Sequence, residues 1–335
     1  MYKVKLIVSS TDEKCNRQLP NNGFIWKDYQ FYINDEIEEA DFLVVCFQKF
    51  PNKTERCKVA PENTLFFTWE PDSTYHYSQR FLNQFAKVVS CQQKLKHRNL
   101  VHDQPGLAWH IGMERKNGEV TYSHNYDSLS KSHPQKTKLI SVISSNKAFT
   151  KGHRERIEFV KKIKDHYGDL VDIYGRGFNN FGNKWDVIAP YKYHISLENC
   201  SIPDYWSEKL SDSYLANAFP FYYGCTNIEK YFDESSFCRI NIKDISGAIE
   251  TIDKALSNNY AETRQEAVER AKQKVLNEYN IFAAIVKHIE GMNPNAAKKD
   301  VVIKPDMAFF DIWKVILVIK RLFNKLTYKI FNSGN

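Results

Sequence analysis

A chain of 335 residues, 42% apolar and 26% charged, is long enough for two ordinary domains and has a globular composition, which excludes a disordered polyelectrolyte. The net charge of +7 suits a polyanionic ligand. It is spread over the whole chain, with no zinc-finger spacing, RNA-binding signature or long basic run, so nucleic acid is not an expected partner. Seven cysteines, at 15, 46, 57, 91, 200, 225 and 238, form no Cys-x-x-Cys pair, which points to reduced thiols and a cytoplasmic setting. The opening Met-Tyr-Lys-Val-Lys-Leu-Ile-Val reads as a first strand and not as a signal peptide, and no run reaches the roughly 20 apolar residues of a membrane span. The 19 tyrosines and 22 phenylalanines fit a protein that stacks rings on sugars, or equally the residue usage of an AT-rich genome.

Strands are expected at Lys3–Val8, Asp41–Phe47, Thr64–Trp69 and Lys87–Ser90, with a short one near Leu107–Ile111 and a helix at Ser78–Phe85. The polar run from Glu114 to Gln135 reads as an interdomain loop. A second alternating unit follows from Leu139 to about Glu290, with helices at Ile245–Ser257 and Glu262–Ile289. Strands alternating with helices imply parallel sheets covered on both faces, hence an α/β protein of two doubly wound, Rossmann-like domains. The boundaries read from the sequence are 1–130 for the first domain, 136–292 for the second and 300–335 for a tail.

Tyr191–Gly224 is the most informative stretch. Tyr191 to Leu197 is β-prone and ends in Glu198-Asn199; a turn-prone loop with Pro203 and Asp204 follows. Ser207 to Ala218 is an amphipathic helix, and an apolar strand, Phe219 to Tyr223, closes on Gly224. A helix N-terminus offers free N–H groups and a positive dipole end, a ready site for a diphosphate. Lys209 in the first turn opposes that dipole, which a bound anion explains; a solvated Glu208–Lys209 pair is the alternative.

The segment resembles the central motif of the family-10 glycosyltransferases, the α-1,3/4-fucosyltransferases. Members carry Phe-Glu-Asn-Ser, a loop, then Tyr-Val-Thr-Glu-Lys at a helix start; here stand Leu197-Glu198-Asn199-Cys200 and Tyr205-Trp206-Ser207-Glu208-Lys209, with the family's interval between Asn and Lys. The departures, Leu197, Cys200 and Trp206-Ser207, remove no charged or amide group of the motif. Lys136 to Ser141 with Ser144-Ser145-Asn146 is similar to the family's entry into its donor domain, and Val171 to Gly177 to its strand ending in Gly-Arg-Gly. Arg156 matches the donor-phosphate arginine by its spacing to Phe159, Val160 and Ile163, with Arg154 a second candidate. The resemblance covers roughly Lys136 to Glu290. It implies the GT-B architecture, two domains facing a cleft, and inverting transfer of L-fucose from GDP-β-L-fucose to a hydroxyl of a GlcNAc-containing glycan, with no metal or other cofactor required.

Such transfer needs a general base, donors for the departing diphosphate, and an electron-rich setting for an oxocarbenium-like sugar. Glu70, where an apolar β-run meets Pro71, is the candidate base, with Asp72 as fallback and an ordinary turn glutamate as the bland alternative. On the donor side the resemblance implies Arg156 and Lys209 for the diphosphate, with Tyr205 and Asn199 hydrogen-bonding phosphate or ribose. Glu198 and Glu208 would hold sugar hydroxyls and the nearby cations. Asn146 and Arg176 rank behind these, Arg176 being alternatively a surface arginine in a tight turn. His110, beside Trp109, is an acceptor-side candidate or a packed histidine, and His194 reads as a core residue. Glu198 and Glu208 stand ten apart, whereas many retaining enzymes of this architecture place two glutamates eight apart, which disfavours the retaining mechanism.

From Ala308 to Phe331, Asp311, Lys314, Arg321, Lys325 and Lys329 fall on one helical face, interrupted by Val318, and apolar residues including Trp313 and Phe323 cover much of the remainder, the pattern of an in-plane membrane anchor or of a helix packing on the body or on a second copy. As an anchor it would place the protein peripherally on the inner face of the bacterial cytoplasmic membrane, acting on a lipid-linked acceptor in surface polysaccharide synthesis. Two rivals stay open: the same fold with another nucleotide-linked deoxysugar, and a non-catalytic glycan- or nucleotide-binding module.

Overall fold

The computed structural model describes residues 1–47, 53–116, 119–146, 151–309, 316 and 319. The chain forms two compact units, the first made of Met1–Ala108, Pro203–Tyr205 and Glu278–Ile319 and the second of Trp109–Ile202, Trp206–Asn277 and Lys320–Asn335.

The first run of the chain lays down β1 (Tyr2–Ile7), β2 (Ile25–Trp26), β3 (Tyr29–Ile33), β4 (Phe42–Phe47), β5 (Glu55–Val59), β6 (Thr64–Thr68), α1 (Gln79–Leu82), β7 (Lys87–Ser90) and β8 (Leu100–His102). Seven of these strands form one sheet in the order β2-β3-β1-β4-β6-β7-β8, parallel except for β2 against β3. Both faces of that sheet are covered, which is why β4 and the Leu65–Phe67 centre of β6 are continuously apolar instead of alternating with polar residues. Phe42, Val44, Cys46, Leu65 and Phe67 enter one core cluster; Leu43, Val45 and Phe66 enter the other, with Phe81 and Phe85.

The second unit begins with the hairpin β9 (Met113–Lys116) and β10 (Glu119–Tyr122) and the short helix α2 (Tyr126–Ser130). Then come β11 (Lys138–Ile143), α3 (Lys151–Tyr167), β12 (Val171–Tyr174), α4 (Lys184–Ile188), β13 (Tyr191–Leu197), α5 (Glu208–Leu215), β14 (Phe219–Tyr223), β15 (Cys238–Arg239), α6 (Ile245–Ser257), α7 (Tyr260–Thr263) and α8 (Gln265–Asn277). Its sheet runs β12-β11-β13-β14-β15, all parallel. β11 is flanked by β12 on one side and β13 on the other, so the crossovers leave it in opposite directions. Such a switch point opens a crevice at the strands' carboxyl ends, here Ile143 and Leu197. The chain then returns to the first unit with α9 (Ile281–Ile289) and β16 (Lys299–Ile303); β16 pairs antiparallel with β5.

The structure corrects several expectations. Leu107–Ile111 is not a strand; the edge strand is β8, paired with β7. The supposed loop from Glu114 to Gln135 holds part of a hairpin and α2, whose start carries a capping box between Asn125 and Ser128. The long helix expected over Glu262–Ile289 is broken. Asn280 caps a new helix by accepting from the N–H groups of Phe282 and Ala283, and α9 buries Ile281, Phe282, Ile285, Val286 and Ile289 in the first unit's core. Hence the expected boundaries at 130 and 292 fall instead after Ala108 and after Asn277. Beyond β16 the proposed anchor, apart from its first residues and the isolated positions 316 and 319, lies outside the described residues. Among the described residues no helix is long and apolar enough to cross a membrane. None of the seven cysteines forms a disulfide.

Candidate functional site

The switch point of the second unit gathers most of the residues singled out in the sequence. β13 delivers Glu198 to the sheet edge with no solvent exposure, its N–H bonded to the Tyr223 carbonyl. Ser207, the N-cap of α5, donates both its backbone N–H (2.7 Å) and its hydroxyl (2.9 Å) to Glu198 Oε1, and the hydroxyl also reaches Oε2 at 2.7 Å. Glu198 therefore holds the N-terminal end of α5, while Lys209 Nζ stands 3.5 Å from its Oε2. Gly224 is required here by close approach, because a Cβ would collide with Glu198 Cγ and the Tyr222 hydroxyl. Burial raises the Glu198 carboxyl above its ordinary value, and Glu208 adds to the rise against the opposing pull of Lys209.

One residue along, Glu208 Oε1 accepts from Lys209 Nζ at 3.0 Å and lies 3.7 Å from His110 Nδ1 and 3.8 Å from Lys184 Nζ. Burial opposes ionisation of Glu208, yet the ammonium groups of Lys209 and Lys184 keep the carboxyl well below its usual range. Lys209 shows the reciprocal effect: burial disfavours its charge, but Glu208 and Glu198 hold the ammonium above an ordinary lysine. A lysine at a helix start costs less when two carboxylates face it. The solvated-pair alternative is thereby corrected, since the Glu208 side chain is only 15% exposed and the Lys209 side chain 24%.

Arg156 of α3 donates from Nη1 to Asn199 Oδ1 at 2.9 Å, joining two candidates beyond the end of β13, and its charge reaches Lys209. Arg154 is exposed on the same helix. Asn146 and Arg176 occupy adjoining loops after β11 and β12, tied by a bond of 2.9 Å from Asn146 N–H to the Arg176 carbonyl. Gly175 between them has φ +122°, and a Cβ there would meet the Ser144 carbonyl. The Arg176 side chain is exposed.

Other candidates fall elsewhere. Glu70 follows β6 in the first unit, 9% exposed, with its carbonyl held by Gln92 Nε2 at 2.8 Å. Tyr205 is buried and groups with the first unit. Trp109, expected on the acceptor side, is 1% exposed, so its ring is packed inside the protein and offers no face to a sugar. His110, expected in the first domain, belongs to the second and stands beside Glu208. His194 is a core residue bonded to the Ser141 hydroxyl at 2.8 Å.

Two residues of the constellation went unread in the sequence. Asp212, with no exposure, accepts from the backbone N–H groups of His110 and Ile111, each at 3.0 Å, and from Lys184 Nζ at 2.8 Å. Lys184 comes from the first turn of α4, which Asn183 caps through the Trp185 N–H. The available signal was a carboxylate one turn after Glu208, in a helix otherwise rich in apolar and small residues. Among the described residues no cluster of His, Cys, Asp or Glu is arranged to hold a metal.

Two parallel-sheet units, one with a polar crevice at its switch point, define a GT-B glycosyltransferase fold. The solved structure of an alpha-glucosyltransferase (AGT) in complex with UDP shares it, with a TM-score of 0.50 and 8% identity over 87% of this chain and 100% of that one. Residues 133–265 match glycosyltransferase family 10 (fucosyltransferase), C-terminal domain, and this stretch of the chain is a family-10 domain. An alpha-(1,3)-fucosyltransferase of Helicobacter pylori is 32% identical over 74 residues, which is 22% of this chain and 15% of that protein. The human 3-galactosyl-N-acetylglucosaminide 4-alpha-L-fucosyltransferase is 28% identical over 128 residues, 36% of this chain and 34% of that protein. The matched stretches thus span no more than about a third of these relatives.

Proposed function

We propose that the protein is an inverting fucosyltransferase that moves L-fucose from GDP-β-L-fucose to a hydroxyl of a glycan acceptor. The observation that carries this reading is the pair of cations at the switch point of a family-10 domain, Lys209 at the start of α5 and Arg156 of α3, the latter held by the Asn199 amide beyond the end of β13. Both curated relatives bear fucosyltransferase names, which supports fucose as the transferred sugar.

In this reading Lys209 and Arg156 take the negative charge of the departing GDP, while the N-terminal N–H groups of α5 are already engaged by Glu198 and Ser207. Glu198 fixes the helix end that presents Lys209, and Glu208 holds the cations in register. Asn199, Asn146 and Arg176 frame the nucleotide. Glu70 is the proposed base for the acceptor hydroxyl. No metal takes part in this scheme. The basic tail would hold the enzyme to the inner membrane face, where lipid-linked surface glycans are assembled. Removal of residues 304–335 should then release it from membrane fractions, and an unchanged distribution would overturn the anchor.

The test of the main reading is a thermal shift against GDP-fucose, GDP, GDP-mannose, UDP-sugars and CMP, followed by transfer assays on glycan acceptors. Stabilisation of about 2.7 kcal/mol is expected from GDP-fucose at a hundred times its Kd. Lys209→Ala and Arg156→Ala should weaken that shift, and Glu70→Ala should keep it while losing transfer. Stabilisation by UDP compounds alone would sink the donor assignment, and transfer by Glu70→Ala would sink the base.

A further inference from the structure

Glu198 and Asp212, fully buried, and Glu208, 15% exposed, face two lysines, Lys184 and Lys209, and the charge of Arg156, held by Asn199, reaches Lys209. At rest the fixed charges balance. A sugar-linked nucleoside diphosphate brings two more negative charges into that cluster, and one neighbouring group is able to answer them near neutral pH: His110. Its imidazole is 37% exposed and 3.7 Å from Glu208, on the side of the cluster anchored by Asp212 through the backbone of residues 110 and 111.

We propose that His110 is a donor-binding residue, which takes up a proton from solvent as the diphosphate enters and pairs its imidazolium with the Glu208–diphosphate cluster. This rests on the donor-site reading above and deepens it. The charged groups facing the ring are Glu208, Asp212 and Lys209 from α5 and Lys184 from α4. In the free protein burial keeps the ring neutral below its ordinary value, with Lys184 and Lys209 opposing Glu208 and Asp212. The added anion tips that balance, so the bound form has the higher affinity for the proton. Affinity is then greatest below the free-state pKa, falls through the interval up to the bound-state pKa, and is flat above it.

The experiment is isothermal titration of the full chain with GDP-fucose from pH 5.5 to 8, in two buffers of different ionisation enthalpy. A sugar-linked diphosphate has no phosphate titration in that range, so any proton taken up belongs to the protein. Wild type should take up close to one proton and lose about tenfold in affinity per pH unit in the steep part of the curve. His110→Asn and His110→Gln, checked by thermal midpoint for folding, should show no uptake and bind at every pH as wild type does at pH 8. Wild-type binding without proton uptake overturns the proposal, as does uptake retained in both variants, which would place the proton on Glu198. A Lys209→Ala control separates the two readings: undiminished binding there rejects the donor site itself, whereas diminished binding with an inert His110 rejects this inference alone.

Discussion

Asp212 shows how one side chain organises the site. Its two oxygens satisfy two backbone N–H groups and an ammonium with no help from water. Truncation to alanine strands all three donors, and breaking a buried pair of this kind costs about 3–5 kcal/mol. Asp212→Ala is therefore expected to lose stability of that order in urea denaturation; a loss under about 1 kcal/mol would show that the clamp is dispensable. His194 gives a second test. Burial, then Lys184 and Lys136, press its imidazole down to about 3, so it stays neutral in the folded protein. Below pH 6.5 the unfolded chain binds a proton that the folded chain refuses, so stability is full above 6.5 and falls as pH drops towards 3. The slope from this group approaches 1.4 kcal/mol per pH unit. His194→Gln should lower the measured slope between pH 4 and 6 by about that amount, and an unaltered slope would refute the assignment.

The loop between β14 and the following turn depends on a missing side chain. Because Gly224 abuts Glu198 and Tyr222, Gly224→Ala must push either the carboxylate or the strand aside, an overpacking cost of about 1–3 kcal/mol. Displacement of Glu198 unseats Ser207 and the start of α5, so GDP-fucose affinity should fall along with the thermal midpoint; unchanged affinity would mean Glu198 does not position the helix. β7, β13, β14 and α6 were legible to the residue, since the three strands are short β-prone runs bounded by turn-prone or polar residues and α6 carries a clear helical period. β5 was not, because Glu55 and Arg56 open it with two charges, Glu55 on the buried side, and its partner, β16, lies more than 200 residues away. The site divides in the same way. Glu198, Asn199, Glu208 and Lys209 sit in one local motif, whereas His110, Lys184 and Asp212 meet only through the tertiary fold.

The molecule is not a simple succession of two domains. α9 returns to the first unit and contributes five buried apolar side chains, worth on the order of 10 kcal/mol, comparable with the whole stability of an ordinary domain. A chain ended at Asn277 should therefore keep the second unit folded and lose the first, seen as partial loss of amide protection confined to residues 1–108. Full protection of both units would contradict the core assignment. The same interruption fixes an order of events at the ribosome. The N-terminal sheet is synthesised first but waits some 180 residues for its closing helix, roughly 10 to 40 s at common elongation rates. The inserted unit can complete itself before then, while the older strands still lack their cover, so the earliest-made part of the nascent chain is the last to be finished and the one most in need of a chaperone.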